Sequence, residues 1–172
     1  MTYGVKSGIL IGVDENSINS PIEQGRHNTG QGRPSAILHA GTPLTVRQQA
    51  LLDRLPEYDS RVTVEKNDVS MKDLAALTAK TGAEFAMFTR KRERLIVRGD
   101  ATHVNISQDN AVALNAQGYK WSGHTHAGLY GGWELSASDG NIAILSRFDQ
   151  KESVIYNTMG EYKTFQNILK GW

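Results

Sequence analysis

With 172 residues, 19 Lys and Arg against 18 Asp and Glu, and no Cys, the chain is sized for one domain that buries roughly 70% of its unfolded surface. The near-balance of charge removes the electrostatic case for a general nucleic-acid binder or an anionic-membrane binder. The missing Cys excludes disulfide scaffolds, thiolate metal sites and thiol nucleophiles, so any metal must be held by His, Asp or Glu.

Residues 1–43 hold seven of the 17 glycines and show little periodicity. They read as an irregular arm or linker, with Ala36 to Leu38 as a short strand within it. The longest apolar stretch near the start, Gly8 to Val13, is far short of the ~20 residues that cross a bilayer, and no secretory leader is visible. From Thr45 the pattern becomes regular. Thr45-Val46-Arg47-Gln48 has the form of a capping box, and Leu51, Leu52 and Leu55 share a helical face up to Pro56. Arg61 to Val64 alternates as a strand. Ser70 caps a second helix carrying Leu74, Ala75 and Leu77, with Asp73 at its third position and Gly82 at its end. Glu84 to Thr89 and Leu95 to Arg98 predict a hairpin about a charged turn, and Val104 to Ile106 a further strand. Ser107 starts a helix that closes at Gly118. Tyr119 to Gly123 is a strand running into His124-Thr125-His126. A glycine-rich loop, Gly128 to Gly132, leads to a helix over Ile142 to Phe148, and a hairpin about Gly160 joins Val154–Tyr156 to Tyr162–Phe165. This mixture predicts an α/β (α+β) fold with a mixed, largely antiparallel sheet flanked by helices.

Three histidines, His27, His39 and His103, stand alone and read as ordinary polar side chains. His124 and His126 differ. Spacing of two on an extended segment sends both imidazoles to one face, from which they can share one ion. The pair ends a strand, where sites in open sheets tend to lie. Asp139 is the candidate third ligand. Two imidazoles, a carboxylate and an open position make the donor set of a catalytic zinc. A carboxylate off the metal is needed as a general base, and Glu84, placed just ahead of an apolar strand, is the candidate. Ser136 is placed to donate to an oxyanion or simply to cap the following helix. Tyr130 and Trp133 line a substrate groove or cover the core. Gly128, Gly131 and Gly132 lack the strand–glycine–helix order of a phosphate loop. Arg90, Lys91, Arg92, Arg94 and Arg98 read as a solvated hairpin face or as a surface for an anionic partner.

Glu84 before an apolar strand, His124-Thr125-His126 and Ser136-x-x-Asp139 together resemble the signature of the JAMM/MPN metalloproteases, over roughly residues 60–165. Carried over by position, the resemblance implies zinc on His124, His126 and Asp139, with Glu84 as general base. It implies Ser136 as a stabiliser of the tetrahedral intermediate, and a domain spanning 44–172. The sequence departs from that pattern in having Ala127 where the family has proline, and in a longer loop before the serine. A second register, Ser138-Asp139-Gly140-Asn141, also fits and puts Asn141 at the ligand position. Asp139 is preferred because an amide oxygen is a poorer zinc ligand than a carboxylate. More loosely, Leu51–Val64 and Met71–Phe88 resemble C-terminal regions of phage minor capsid proteins and polymorphic toxin-like tails.

These readings predict a zinc-dependent hydrolase acting on a peptide or isopeptide bond in a protein or peptide substrate, as a phage- or prophage-encoded module joined to a larger polypeptide. They predict no membrane partner and argue against nucleic acid, and leave location open between cytoplasm and phage particle. Two rivals remain: a toxin-like effector hydrolase such as a nuclease, and a non-catalytic phage structural or binding module.

Overall fold

The computed structural model describes residues 42–127 and 139–168, with the side chains of residues 139 and 140 left aside. The arm, the Ala36–Leu38 strand, His27, His39, the glycine-rich loop, Tyr130, Trp133, Ser136 and Ser138 lie outside the described residues. So does the side chain of Asp139.

Among the described residues, eleven regular elements follow one another: α1 (Val46–Asp53), β1 (Arg61–Glu65), a 3₁₀ turn (Lys66–Asp68), α2 (Met71–Thr81), β2 (Phe85–Arg90), β3 (Glu93–Arg98), then α3 (Gln108–Ala116), β4 (Lys120–Thr125), α4 (Asp139–Arg147), β5 (Glu152–Tyr156) and β6 (Tyr162–Gln166). The expected capping box forms at Thr45, and Ser70 and Ser107, expected to start helices, form capping boxes too, each side chain accepting from the backbone N–H three residues on. Gly82 ends α2 at φ +78°, a left-handed conformation that glycine adopts without strain. One expectation fails. Val104 to Ile106 is not a strand: the Ile106 N–H donates to the Val104 carbonyl (3.0 Å), closing a tight turn. This stretch leaves the sheet to reach α3, and its alternation reflects two fully buried apolar side chains rather than a ladder. The helix expected over Ile142 to Phe148 begins three residues sooner, at Asp139.

The strands form one sheet in the order β1-β3-β2-β4-β5-β6. Every pairing is antiparallel except β4 with β5, which is parallel. This is an α+β fold on a mixed, mostly antiparallel sheet. One face is covered by α1 and α2, whose Leu51, Leu74 and Leu77 pack on Phe85, Met87 and Ile96. The other is covered by α3 and α4, whose Ala111, Leu114, Ile144, Leu145 and Phe148 pack on Ala86, Phe88, Val97 and Trp121. None of the described helices is long and apolar enough to cross a membrane.

An ion pair ties the first face together. Arg47 grips Asp73 through two nitrogens, at 2.7 and 2.9 Å, while Gln48 and the Ser70 N–H donate to the same carboxylate at 3.0 and 2.8 Å. Burial pulls the Asp73 pKa upward, but the bonds from Arg47, Gln48 and Ser70 outweigh it and hold the carboxyl below its ordinary value. Asp73 thus caps its own helix and docks α1 onto α2.

Candidate functional site

The pairing of β2 with β4 decides where the predicted residues meet. Ala86 lies opposite His124, and continuing two residues along each strand brings Glu84 opposite His126 on the same face. All three side chains are buried, with Glu84 2%, His124 0% and His126 1% exposed. The backbone holds Glu84 from its other side. Its N–H donates to the Asp100 carbonyl (2.8 Å), and its carbonyl accepts from the Gly99 N–H (2.7 Å). His126 is fixed by its own N–H on the Tyr156 carbonyl of β5 (2.9 Å).

A bulge aims His124. Met87 faces Gly123 but Phe88 faces Trp121, so β4 carries one extra residue there. Residues three apart on a regular strand look to opposite faces. With the extra residue, Trp121 and His124 come to the same face and stack, ring centroids 5.2 Å apart at 23°. Phe165 of β6 meets both rings edge-on, at 5.4 Å from Trp121 and 5.8 Å from His124. Gly123 takes the opposite face, where a side chain would strike Val154 and Met71 at 2.9 and 3.1 Å.

Neither ring nitrogen of His124 has a hydrogen-bond partner among the described residues. A buried imidazole without partners costs free energy, which makes this ring a candidate ligand. Burial, and then the neighbouring His126, hold the His124 pKa well below the ordinary histidine value, so the ring is neutral at pH 7 with a lone pair to give. The two imidazole centroids are 5.2 Å apart and tilted by 58°. Two imidazoles sharing a tetrahedral ion at about 2.0–2.1 Å per nitrogen keep their centroids roughly 5 Å apart. The observed centroid spacing equals that separation. No set of three His, Asp or Glu side chains that could hold a metal is gathered among the described residues. A third donor would come from α4, from the chain between β4 and α4, or from solvent.

Two contributors were missed from sequence. Thr125, between the histidines, looks to the other face, where its hydroxyl lies 2.6 Å from that of Thr78 and accepts from the Phe85 N–H at 2.9 Å. It pins the end of β4 to β2 and α2. The alternation of the H-T-H run carried that signal. Trp121 and Phe165 form the aromatic bed under His124, and only the bulge reveals it. His103 sits between Tyr58 and Asp100, 3.1 Å from each, far from any ligand role. The arginines of the hairpin are engaged within the chain. Arg90 pairs with Glu93, Arg92 with Glu65, Arg94 donates to the Val69 carbonyl and Arg98 to the Leu55 carbonyl.

Set against family models, curated proteins and solved structures, the chain matches none.

Proposed function

We propose that this chain is a metal-dependent hydrolase of the JAMM/MPN type, cleaving a peptide or isopeptide bond in a protein or peptide substrate. One observation carries the reading: Ala86 of β2 pairs with His124 of β4, and the Glu84 carboxylate and the His124 and His126 imidazoles are all buried at the end where β2 starts and β4 finishes. His124 and His126 are the residues that would hold zinc. A zinc ion held there supplies Lewis-acid chemistry, making water acidic near neutral pH and polarising a carbonyl. Glu84 takes the proton from the attacking water and returns it to the departing amine, so the C–N bond breaks without net proton change. Ser136 is proposed as the oxyanion donor, and Trp121 and Phe165 hold His124 in its orientation. The phage or prophage setting is part of the same proposal.

A hydrolase assay on a panel of isopeptide- and peptide-linked substrates, with zinc content measured in parallel, tests it. Glu84→Gln is expected to keep zinc and lose about 10²–10⁴-fold in rate, whereas His124→Ala is expected to lose zinc and activity together. Zinc binding that is unchanged in His124→Ala overturns the reading. The nuclease alternative rests on the hairpin cations, of which Arg90, Arg92, Arg94 and Arg98 have partners within the chain. A non-catalytic binding module is the second reading, favoured by a buried asparagine on α4.

A further inference from the structure

Among the described residues β1 is an outer strand of the sheet, bonded to β3 on one side. The Arg98 N–H donates to the Ser60 carbonyl (2.9 Å), and the Lys66 N–H donates to the Arg92 carbonyl (2.7 Å). Backbone direction alternates along an antiparallel strand. Ser60, Val62, Val64 and Lys66 therefore turn toward β3, and Arg61, Thr63 and Glu65 turn outward. A row of outward N–H and C=O groups is a template for another strand. Beside it lies a groove of about 550 Å³, lined by Arg47, Ala50 and Arg54 of α1 and by Thr63, Val64 and Glu65 of β1. Val62 and Val64 are half-buried against the core on the α1 side.

The strand reads Arg61-Val62-Thr63-Val64-Glu65, with opposite charges at its two outward ends. Turned about a two-fold axis through Thr63, a second β1 sets its Glu65 against Arg61 and its Arg61 against Glu65. The parity is right as well, because outward residues 61, 63 and 65 meet outward residues 65, 63 and 61. On the α1 side, Val62 meets the partner's Val64. Parallel pairing would instead bring like charges side by side. The helix adds to the match. Arg47 donates to the Asp68 carbonyl (2.9 Å) beyond the end of β1, and Arg98, one residue past the partner of Arg61, donates to the Leu55 carbonyl (2.7 Å). So α1 runs against β1 and puts the exposed Arg54 at the Arg61 end, where the two-fold brings the partner's Glu65 and exposed Asp68. Arg61 already pairs with Asp59 at 2.9 Å and Glu65 with Arg92 at 3.6 Å. A guanidinium with five donors can hold a second carboxylate beside the first, and an exposed pair such as Glu65–Arg92 is weak. The other outer strand, β6, carries one charge, Lys163, and no acid to meet it in such a pairing.

We propose that β1 is a self-pairing edge, joining two copies of this chain through an antiparallel β1–β1 seam into one continuous sheet. The contact is isologous, each copy giving the same strand, and it stands apart from the metal reading above. One five-residue seam is a small interface, so the dimer forms and parts with concentration. Because the two β1 strands run in opposite directions, the two His124–His126 pairs lie at opposite ends of the joined sheet.

Sedimentation equilibrium of the full chain reads this directly, with the mass expected to rise from one copy toward two as concentration increases. Arg61→Glu and Glu65→Arg are each expected to weaken association by about tenfold or more, since each turns both attractive pairs repulsive. An equimolar mixture of the two variants is expected to recover it, because the acidic edge of one meets the basic edge of the other. A merely structural role for either side chain would give no such recovery. A wild type that stays single at every concentration overturns the proposal. So does a dimer indifferent to either reversal, or a mixture no better than its parts. Should either variant not fold by circular dichroism, amide hydrogen exchange of wild type decides. Protection at Thr63 and Glu65 that rises with concentration supports the seam. Protection that ignores concentration, as when the chain's own arm covers β1, overturns it.

Discussion

Adjacent residues of β4 look into two regions built on opposite rules. On the face under α1 and α2, Thr125 enters a fully bonded setting: its hydroxyl serves Thr78 and the Phe85 N–H, and Asp73 of α2 has five donors. On the face under α3 and α4, His124 is enclosed by aromatic rings and neither nitrogen is bonded among the described residues. Thr125 spends its hydroxyl on tying strands and helix together, whereas the His124 ring has aromatic neighbours and no bonded nitrogen among the described residues. The contrast locates function better than burial does, since both side chains are 0% exposed.

The sharpest way to break that contrast is to remove the bed beneath His124. Trp121→Ala is expected to cost about 3–5 kcal/mol in chemical denaturation, and to weaken zinc binding at native temperature as the imidazole loses its orientation. A variant that loses stability but binds zinc unchanged would show the stacking to be structural alone. Thr125→Val, nearly isosteric, strands the Phe85 N–H and the Thr78 hydroxyl, and is expected to cost about 1–3 kcal/mol. Its zinc affinity should hold, because the change lies on the other face. Asp73→Asn removes the charged grip of Arg47 and is expected to cost about 1–2 kcal/mol in the same denaturation assay.

A pH series sharpens the same side. The Asp73 carboxyl has a folded pKa below its unfolded one, so its contribution is complete above the unfolded value, near pH 4. Below that the unfolded chain takes a proton that the folded chain resists, and the contribution drains away as pH falls through the folded value. Denaturation midpoints from pH 6 to pH 3 should therefore drop more steeply for wild type than for Asp73→Asn. Equal slopes would contradict the role given to this carboxylate.

Most elements were legible because local chemistry announced them. Thr45, Ser70 and Ser107 each place an oxygen at a helix start with a partner three residues on, and Gly82 supplies the left-handed stop. The H-T-H spacing pointed to two imidazoles on one face, though the role of Thr125 on the other was not drawn from it. Val104 to Ile106 misled because its apolar–polar–apolar pattern reads as a strand, whereas all three side chains are buried in a connection that crosses the core. Sequence spacing alone did not show that Trp121 lies under His124, since a bulge shifts the parity and depends on the pairing with β2. The choice between Asp139 and Asn141 rested on charge in the sequence.

Long-range proton–nitrogen NMR of the imidazoles, with the full chain titrated by zinc, tests the central claim most directly. One equivalent of zinc is predicted to shift the ring nitrogens of His124 and His126 together, leaving His27, His39 and His103 where they were. Shifts confined to those other three rings, or none at either member of the pair, would contradict the account.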